Sequence, residues 1–152
     1  PFQEKLLLEA TLEVIATGSV IGIQDMGAAG IICSTSEMSA KGEHGMEINL
    51  DNVPTRQSNM LPWEILLSES QERMLFVVEP KDEAQALEIF ERWGVICAKV
   101  GKVTDDGRLR LFHHNEVVGD MPVTALVDEC PIYDKPSEVP AYYEQNAAYN
   151  EQ

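Results

Sequence analysis

The sequence predicts one α+β domain, a mixed β-sheet flanked by helices. Three observations predict it. Apolar residues recur at helical spacing in two separate stretches, and short apolar or alternating runs between turn residues mark several strands. The run from Met74 to Val103 then reads strand, helix, strand, a ferredoxin-like βαβ element that calls for a right-handed crossover. The size agrees, since 152 residues with 44% hydrophobic and 24% charged composition suit a single core.

In chain order, Phe2 to Thr17 is a helix. Phe2, Leu6, Ala10 and Val14 recur every four residues, Leu8, Leu12 and Ile15 widen the stripe, and Gly18 stops it. Val20 to Ile23 is a short buried strand ending at Gln24-Asp25. A second helix is expected from about Ala28 to Lys41, although Ser34, Thr35 and Ser36 are poor helix formers. Met46, Ile48 and Leu50 alternate with polar residues as in a half-buried strand, Asp51 to Met60 is a loop, and Pro62 suits the first turn of a short helix to Leu67. Met74 to Val78 has the composition of a central strand. Lys81 to Trp93 is the clearest helix: Ala86, Ile89, Phe90 and Trp93 share a face, Glu88 can pair with Arg92, and Gly94 ends it.

Val95 to Val103 is the next expected strand. Thr104 to Gly107 is a turn, Arg108 to His113 a strand, His114-Asn115-Glu116 a hairpin tip, and Glu116 to Met121 the return. A short helix from Pro122 to about Glu129 closes the domain, which spans residues 1–130. Residues 131–152, with Pro131, Pro136 and Pro140 among polar residues, read as an extended linker or tail.

Lys and Arg number 11 against 26 Asp and Glu, a net charge of -15. Such a surface repels polyphosphate backbones, so nucleic-acid binding is not expected. No apolar run approaches the ~18 residues of a membrane span. Any phosphate ligand would lean on a bound cation, helix N-terminal amides or another polypeptide. Cys33, Cys97 and Cys130 form no CxxC pair and are expected to be buried free thiols in a reducing compartment. The opening PFQEKLLLEATLEV lacks the basic lead of a signal peptide. It starts inside a helical pattern without an initiator Met, so the chain is read as a piece of something longer.

Two turns suit ligand chemistry. The first, Gly22-Ile23-Gln24-Asp25-Met26-Gly27-Ala28-Ala29-Gly30, delivers the Asp25 carboxylate at the end of a buried strand, just before a small-residue turn and a helix. Asp25 can reach a hard cation, and the small residues let a ligand approach the helix amides. The alternative is that Asp25 caps the helix. The second turn, Leu67 to Arg73, offers Glu69, Ser70 and Gln71: a carboxylate, a hydroxyl and an amide able to orient a polar ligand. Its alternative is a capped turn built on Ser68 and Gln71, with Arg73 in an ion pair with Glu69 or Glu72 or serving as a phosphate anchor. His44, His113 and His114 are read as surface residues. Adjacent strand residues point to opposite faces, which makes His113-His114 a poor metal pair. No catalytic signature motif is present.

The segments PFQEKLLLEATLEV, GIQDMGAAGIICSTSEMSAKG, MLPWEILLSESQERMLFVVEP and GKVTDDGRLRLFHHNEVVGDMPV, taken together, resemble the phosphoribosylformylglycinamidine synthase family. The likeness is to the synthetase (large) subunit of its multi-subunit bacterial form, and it runs from Pro1 to about Pro136. More narrowly, the chain is similar to the C-terminal domain of that subunit's first half, a domain of the aminoimidazole ribonucleotide synthetase type.

The resemblance implies an ATP-dependent, cytoplasmic ligase of purine biosynthesis. It converts formylglycinamide ribonucleotide, glutamine, ATP and water to the amidine, glutamate, ADP and phosphate, through an iminophosphate displaced by ammonia. It also implies that Asp25 binds Mg2+ and that Glu69, Ser70 and Gln71 contact substrate. The implied partners are the other domains of the subunit, a glutaminase subunit and a small bridging subunit. The catalytic histidine and most ATP contacts would lie in the preceding domain, leaving this piece inactive alone. Two other readings compete: a non-catalytic interdomain packing module, and the equivalent domain of a related ATP-dependent synthetase or kinase.

Overall fold

The computed structural model describes residues 2–149, so what was expected of Pro1 and of residues 150–152 in the tail lies outside the described residues. Helix α1 (Phe2–Ala16) leads into β1 (Val20–Asp25), α2 (Ile31–Gly42) and β2 (Gly45–Asn49). A 3-10 turn, Leu50–Asn52, precedes α3 (Pro62–Leu67) and β3 (Met74–Val78); a second, Pro80–Asp82, precedes α4 (Glu83–Arg92). Strands β4 (Gly101–Thr104), β5 (Arg108–His113) and β6 (Glu116–Pro122) follow, then the short helices α5 (Val123–Val127) and α6 (Tyr143–Ala147).

Strands β1 and β3 form a two-stranded antiparallel ribbon. The other four make a sheet in the order β4-β2-β5-β6, with β2 and β5 parallel and the remaining neighbours antiparallel. The class is therefore α+β with a mixed sheet flanked by helices, as expected. The βαβ element is not formed. β3 pairs with β1, while β4 pairs with β2 in the other sheet, so no crossover joins them. The expected strand from Val95 also shortens to Gly101–Thr104, and Ile96 is 83% exposed. Periodicity marks a strand but not its partner, which is chosen by contacts far away in sequence.

Two apolar clusters hold the layers. The first packs Ile31 of α2, Ile65 and Leu66 of α3, and Val123 of α5 against Ile48, Leu109 and other sheet residues. The second sets Ala10 and Val14 of α1 against Ala86, Ile89 and Phe90 of α4, over Val20 and Phe76 of the ribbon. The Phe76 and Phe90 rings meet edge to face at 5.1 Å. Helix α2 touches both the ribbon and the larger sheet. Three of its buried hydroxyls suit that position, because they donate to carbonyls of their own helix: Ser34 Oγ to Ile31 O at 3.1 Å, Thr35 Oγ1 to Ile31 O at 2.7 Å, and Ser36 Oγ to Cys33 O at 3.1 Å.

Only part of the α1 stripe is buried. Ala10 and Val14 are fully enclosed, but Leu8, Leu12 and Ile15 form an outward apolar face, each about half exposed. The thiols also depart from expectation. Cys33 is half-buried, Cys97 and Cys130 are exposed, and all three are free. Cys97 lies in the unpaired stretch before β4, and Cys130 lies beyond α5. The tail is not uniformly extended either, since it turns through α6.

Arg92 pairs with Glu13 of α1 instead of the expected Glu88. Trp93 Nε1 donates to the same carboxylate at 2.7 Å, so Glu13 clamps the end of α4 to α1. The Trp93 indole, and after it the Arg92 guanidinium, hold the Glu13 carboxyl below its ordinary value of 4.5. A lowered native pKa means stability that is fully present above about pH 4.5 and lost as pH falls through the native value. Wild type should therefore melt above Glu13→Gln at neutral pH, and the gap should narrow as the pH falls below about 4.5. An equal gap at neutral and acid pH would show that charge at Glu13 plays no part.

Candidate functional site

Strand β1 ends where β3 begins. Asp25 is paired with Met74 across the ribbon, and Met26 N donates to Arg73 O at 3.1 Å. The turn leaving β1 and the turn entering β3 consequently lie side by side. Asp25 Oδ1 accepts the Gly27 N–H at 3.0 Å and so shapes its own turn. Asp25 does not cap α2: the residue at that cap is Gly30, and no side chain bonds there. Ala29 N, in the same turn, donates to Glu69 Oε1 at 2.9 Å, which ties the two segments together.

The second turn is braced from within. Arg73 Nε donates to Ser70 O at 3.2 Å and Arg73 Nη2 donates to Ser68 O. This replaces the expected ion pair, since among the described residues Arg73 forms none. Burial lowers its pKa from the ordinary guanidinium value. Nor is there a capped helix at Ser68–Gln71; the stretch runs straight into β3. Ser70 Oγ lies 3.3 Å from Ser68 Oγ, and the Gln71 amide makes no hydrogen bond among the described residues.

Asp25, Gly27, Glu69, Ser70, Gln71 and Arg73 line one cavity of ≈ 270 Å³, together with Glu72 and residues of α1 and β3. All four residues singled out from the sequence therefore meet. Three carboxylates against one guanidinium give the cavity a negative potential that favours a cation. Asp25 is exposed at the end of its strand, and the N–H bond uses only its Oδ1. It fits as one oxygen ligand of a hard cation. It cannot complete such a site, because Mg2+ takes about six oxygens in octahedral array. Arg73 as the brace of the turn escaped the sequence reading. Its targets are backbone carbonyls, and no residue pattern marks them.

A larger depression of ≈ 450 Å³ lies between β2 and β4, lined by Glu47, Asn49, Asn52, Lys99 and Lys102 among others. Its two lysines are engaged, Lys99 with Glu83 at 2.6 Å and Lys102 with Glu47 at 2.8 Å. That leaves little free charge to hold an anion.

The mixed sheet, the two-stranded ribbon and the cavity at the β1–β3 junction define an α+β domain with a carboxylate-rich candidate site. Residues 1–114 match the family described as AIR synthase related protein, C-terminal domain, and the chain belongs to that family. Among individual proteins, it is 57% identical over 136 residues to the PurL subunits of phosphoribosylformylglycinamidine synthase from Brucella ovis and Brucella canis. The match covers 90% of this chain and 18% of each relative, so the chain spans less than a fifth of their length. The structure of Thermotoga maritima PurL complexed with ATP superposes with a TM-score of 0.80 at 40% identity, over 92% of this chain and 25% of that one. The same protein complexed with FGAR gives 0.78 over 90% and 23%. The HypE–HypF complex, 19% identical with a TM-score of 0.63 over 74% of this chain and 40% of that one, shares the fold alone.

Proposed function

We propose that this chain is a C-terminal-type domain of the synthetase subunit of phosphoribosylformylglycinamidine synthase, from the first half of that subunit. The whole subunit would carry out the ATP-dependent conversion of formylglycinamide ribonucleotide to its amidine, in the cytoplasm, with ammonia from a glutaminase subunit and with a small bridging subunit in the complex. The observation that carries the reading is the meeting of Asp25 with Glu69, Ser70 and Gln71 in one cavity.

In this reading Asp25 is one ligand of Mg2+, which when bound offsets charge on the phosphates of ATP and of the reaction intermediate. The remaining oxygens come from other domains. Ser70 and Gln71 hold polar groups of the nucleotide substrate. Glu69 has one carboxylate oxygen bound to Ala29 N and can offer the other. The apolar face of Leu8, Leu12 and Ile15 is covered by the rest of the subunit, and residues 131–152 form the tether that follows the domain. FGAR and ATP complexes of a protein 40% identical support the choice of ligands.

The test uses the full-length subunit. Gln71→Ala should raise KM for formylglycinamide ribonucleotide about 5–10-fold, the value of one hydrogen bond, with KM for ATP unchanged. An unchanged KM for the ribonucleotide would remove Gln71 from the substrate site.

A further inference from the structure

We infer that Asp51, His113 and His114 form a three-ligand site for a divalent transition-metal ion of the zinc class. The three ligand atoms lie within 4.8 Å of one another. The strand rule that neighbouring side chains point to opposite faces fails at this point because β5 ends at His113. His114 and Asn115 have φ of 51° and 62°, the left-handed pair of a tight two-residue hairpin turn. That turn swings the His114 ring back over its neighbour, with ring centroids 3.8 Å apart and planes inclined by 35°. Both Nδ1 atoms then approach Asp51 Oδ1, His113 at 2.8 Å and His114 at 3.3 Å.

The carboxylate is held ready. Asp51 sits in the 3-10 turn after β2, and its N–H is fixed by Asn49 Oδ1 at 3.0 Å. Its Oδ2 accepts the His114 backbone N–H at 2.8 Å, which leaves Oδ1 directed at the imidazoles. The parallel register that sets Asn49 beside Phe112 brings this turn to the end of β5. An ordered carboxylate beside two imidazoles is the support a metal site requires.

A second observation points the same way. His113 Nδ1 is buried and, among the described residues, has no partner in hydrogen-bond geometry, although Asp51 Oδ1 is only 2.8 Å away. A buried ring nitrogen left unsatisfied at that range is what a shared cation would satisfy. Zinc bound at about 2.0–2.1 Å in tetrahedral geometry separates its ligands by about 3.3–3.5 Å; the His114 Nδ1–Asp51 Oδ1 distance of 3.3 Å meets this, and the His113 Nδ1–Asp51 Oδ1 distance of 2.8 Å would widen by about 0.5 Å on binding. Two imidazoles and one carboxylate select Zn2+, Co2+ or Ni2+ over Mg2+ or Ca2+. The His114 side chain is 79% exposed, so the fourth position opens to solvent. None of these residues lines the Asp25 cavity. The ion would clip the β5–β6 tip to the end of β2.

The experiment titrates the metal-free 152-residue chain with Zn2+ by calorimetry, and with Co2+ by its visible d–d absorption. One ion per chain is expected, with a tetrahedral Co2+ spectrum. Asp51→Asn keeps an acceptor for the His114 N–H, and His114→Asn keeps a residue suited to a left-handed turn. Each should weaken binding at least about 10-fold and abolish the Co2+ band, with the circular dichroism unchanged. His44→Gln should leave both readouts as in wild type. Absence of saturable one-to-one binding overturns the assignment and leaves an ordinary Asp51–His113 contact. So does binding that survives Asp51→Asn and His114→Asn.

Discussion

Asp25→Asn in the full-length synthetase subunit is expected to lower turnover at saturating Mg2+ at least about 100-fold, as loss of a ligand to a catalytic metal does. Asparagine is the informative replacement because its side-chain oxygen can still accept the Gly27 N–H, now made by Asp25 Oδ1 at 3.0 Å. The turn keeps its shape while the charge that draws the cation is lost. The melting temperature should therefore stay near wild type, and the Mg2+ concentration for half-maximal rate should rise. The packing-module alternative expects Asp25→Ala to cost about 1 kcal/mol of stability with turnover intact. Unchanged kinetics of Asp25→Asn at both limiting and saturating Mg2+ would remove Asp25 as a metal ligand and leave that alternative standing.

Gly30→Ala is expected to be strongly destabilising, because a backbone clash adds to a conformational penalty. Gly30 has φ +59° and ψ -125°, a sparsely populated conformation outside the left-handed helix that costs an alanine about 1–3 kcal/mol. A Cβ there would also come within 2.2 Å of Ser68 O and 3.2 Å of Leu66 O. Both are backbone atoms, so no rotamer change relieves the contact. The turn after β1 would have to withdraw from the turn before β3, at a further cost of about 1–3 kcal/mol. The combined loss, about 3 kcal/mol or more, should appear in urea unfolding as a lower midpoint with an unchanged slope. Gly18→Ala is the control. Its φ is also positive, at +76°, but nothing lies within 4 Å of the added methyl. Should Gly30→Ala be no worse than Gly18→Ala, the close approach of the two turns is not what requires glycine at Gly30.

Much of the molecule could be read from local pattern. The helix over the Lys81–Trp93 stretch appears as α4 with Ala86, Ile89 and Phe90 buried, because a 3.6-residue period needs no knowledge of the partner. The alternation around Ile48 and the hairpin after Arg108 appear for the same kind of reason. Side-chain identity also marked the two ligand-suited turns, since a carboxylate beside small residues and a Glu-Ser-Gln triplet are uncommon tools for plain packing. The side-chain directions of His113 and His114 were misjudged because the strand rule was applied one residue past the end of β5, where positive φ turns the His114 ring back over His113. His114 is exposed, as expected. Arg73 was misread because charge suggested an acidic partner, whereas the folded turn offered carbonyls.

The sequence alone determined most of the helices and strands, the α+β class, the acidic surface and the residue types at both turns, all of which depend on local spacing and composition. Tertiary structure decided which strand lies beside which. Pairing β1 with β3 instead of β3 with β4 dissolved the expected crossover. The same pairing set Asp25 opposite Met74 and so brought the second turn within reach. Strand partnership depends on burying faces contributed by distant segments, and its energy belongs to the assembled layers rather than to any one of them.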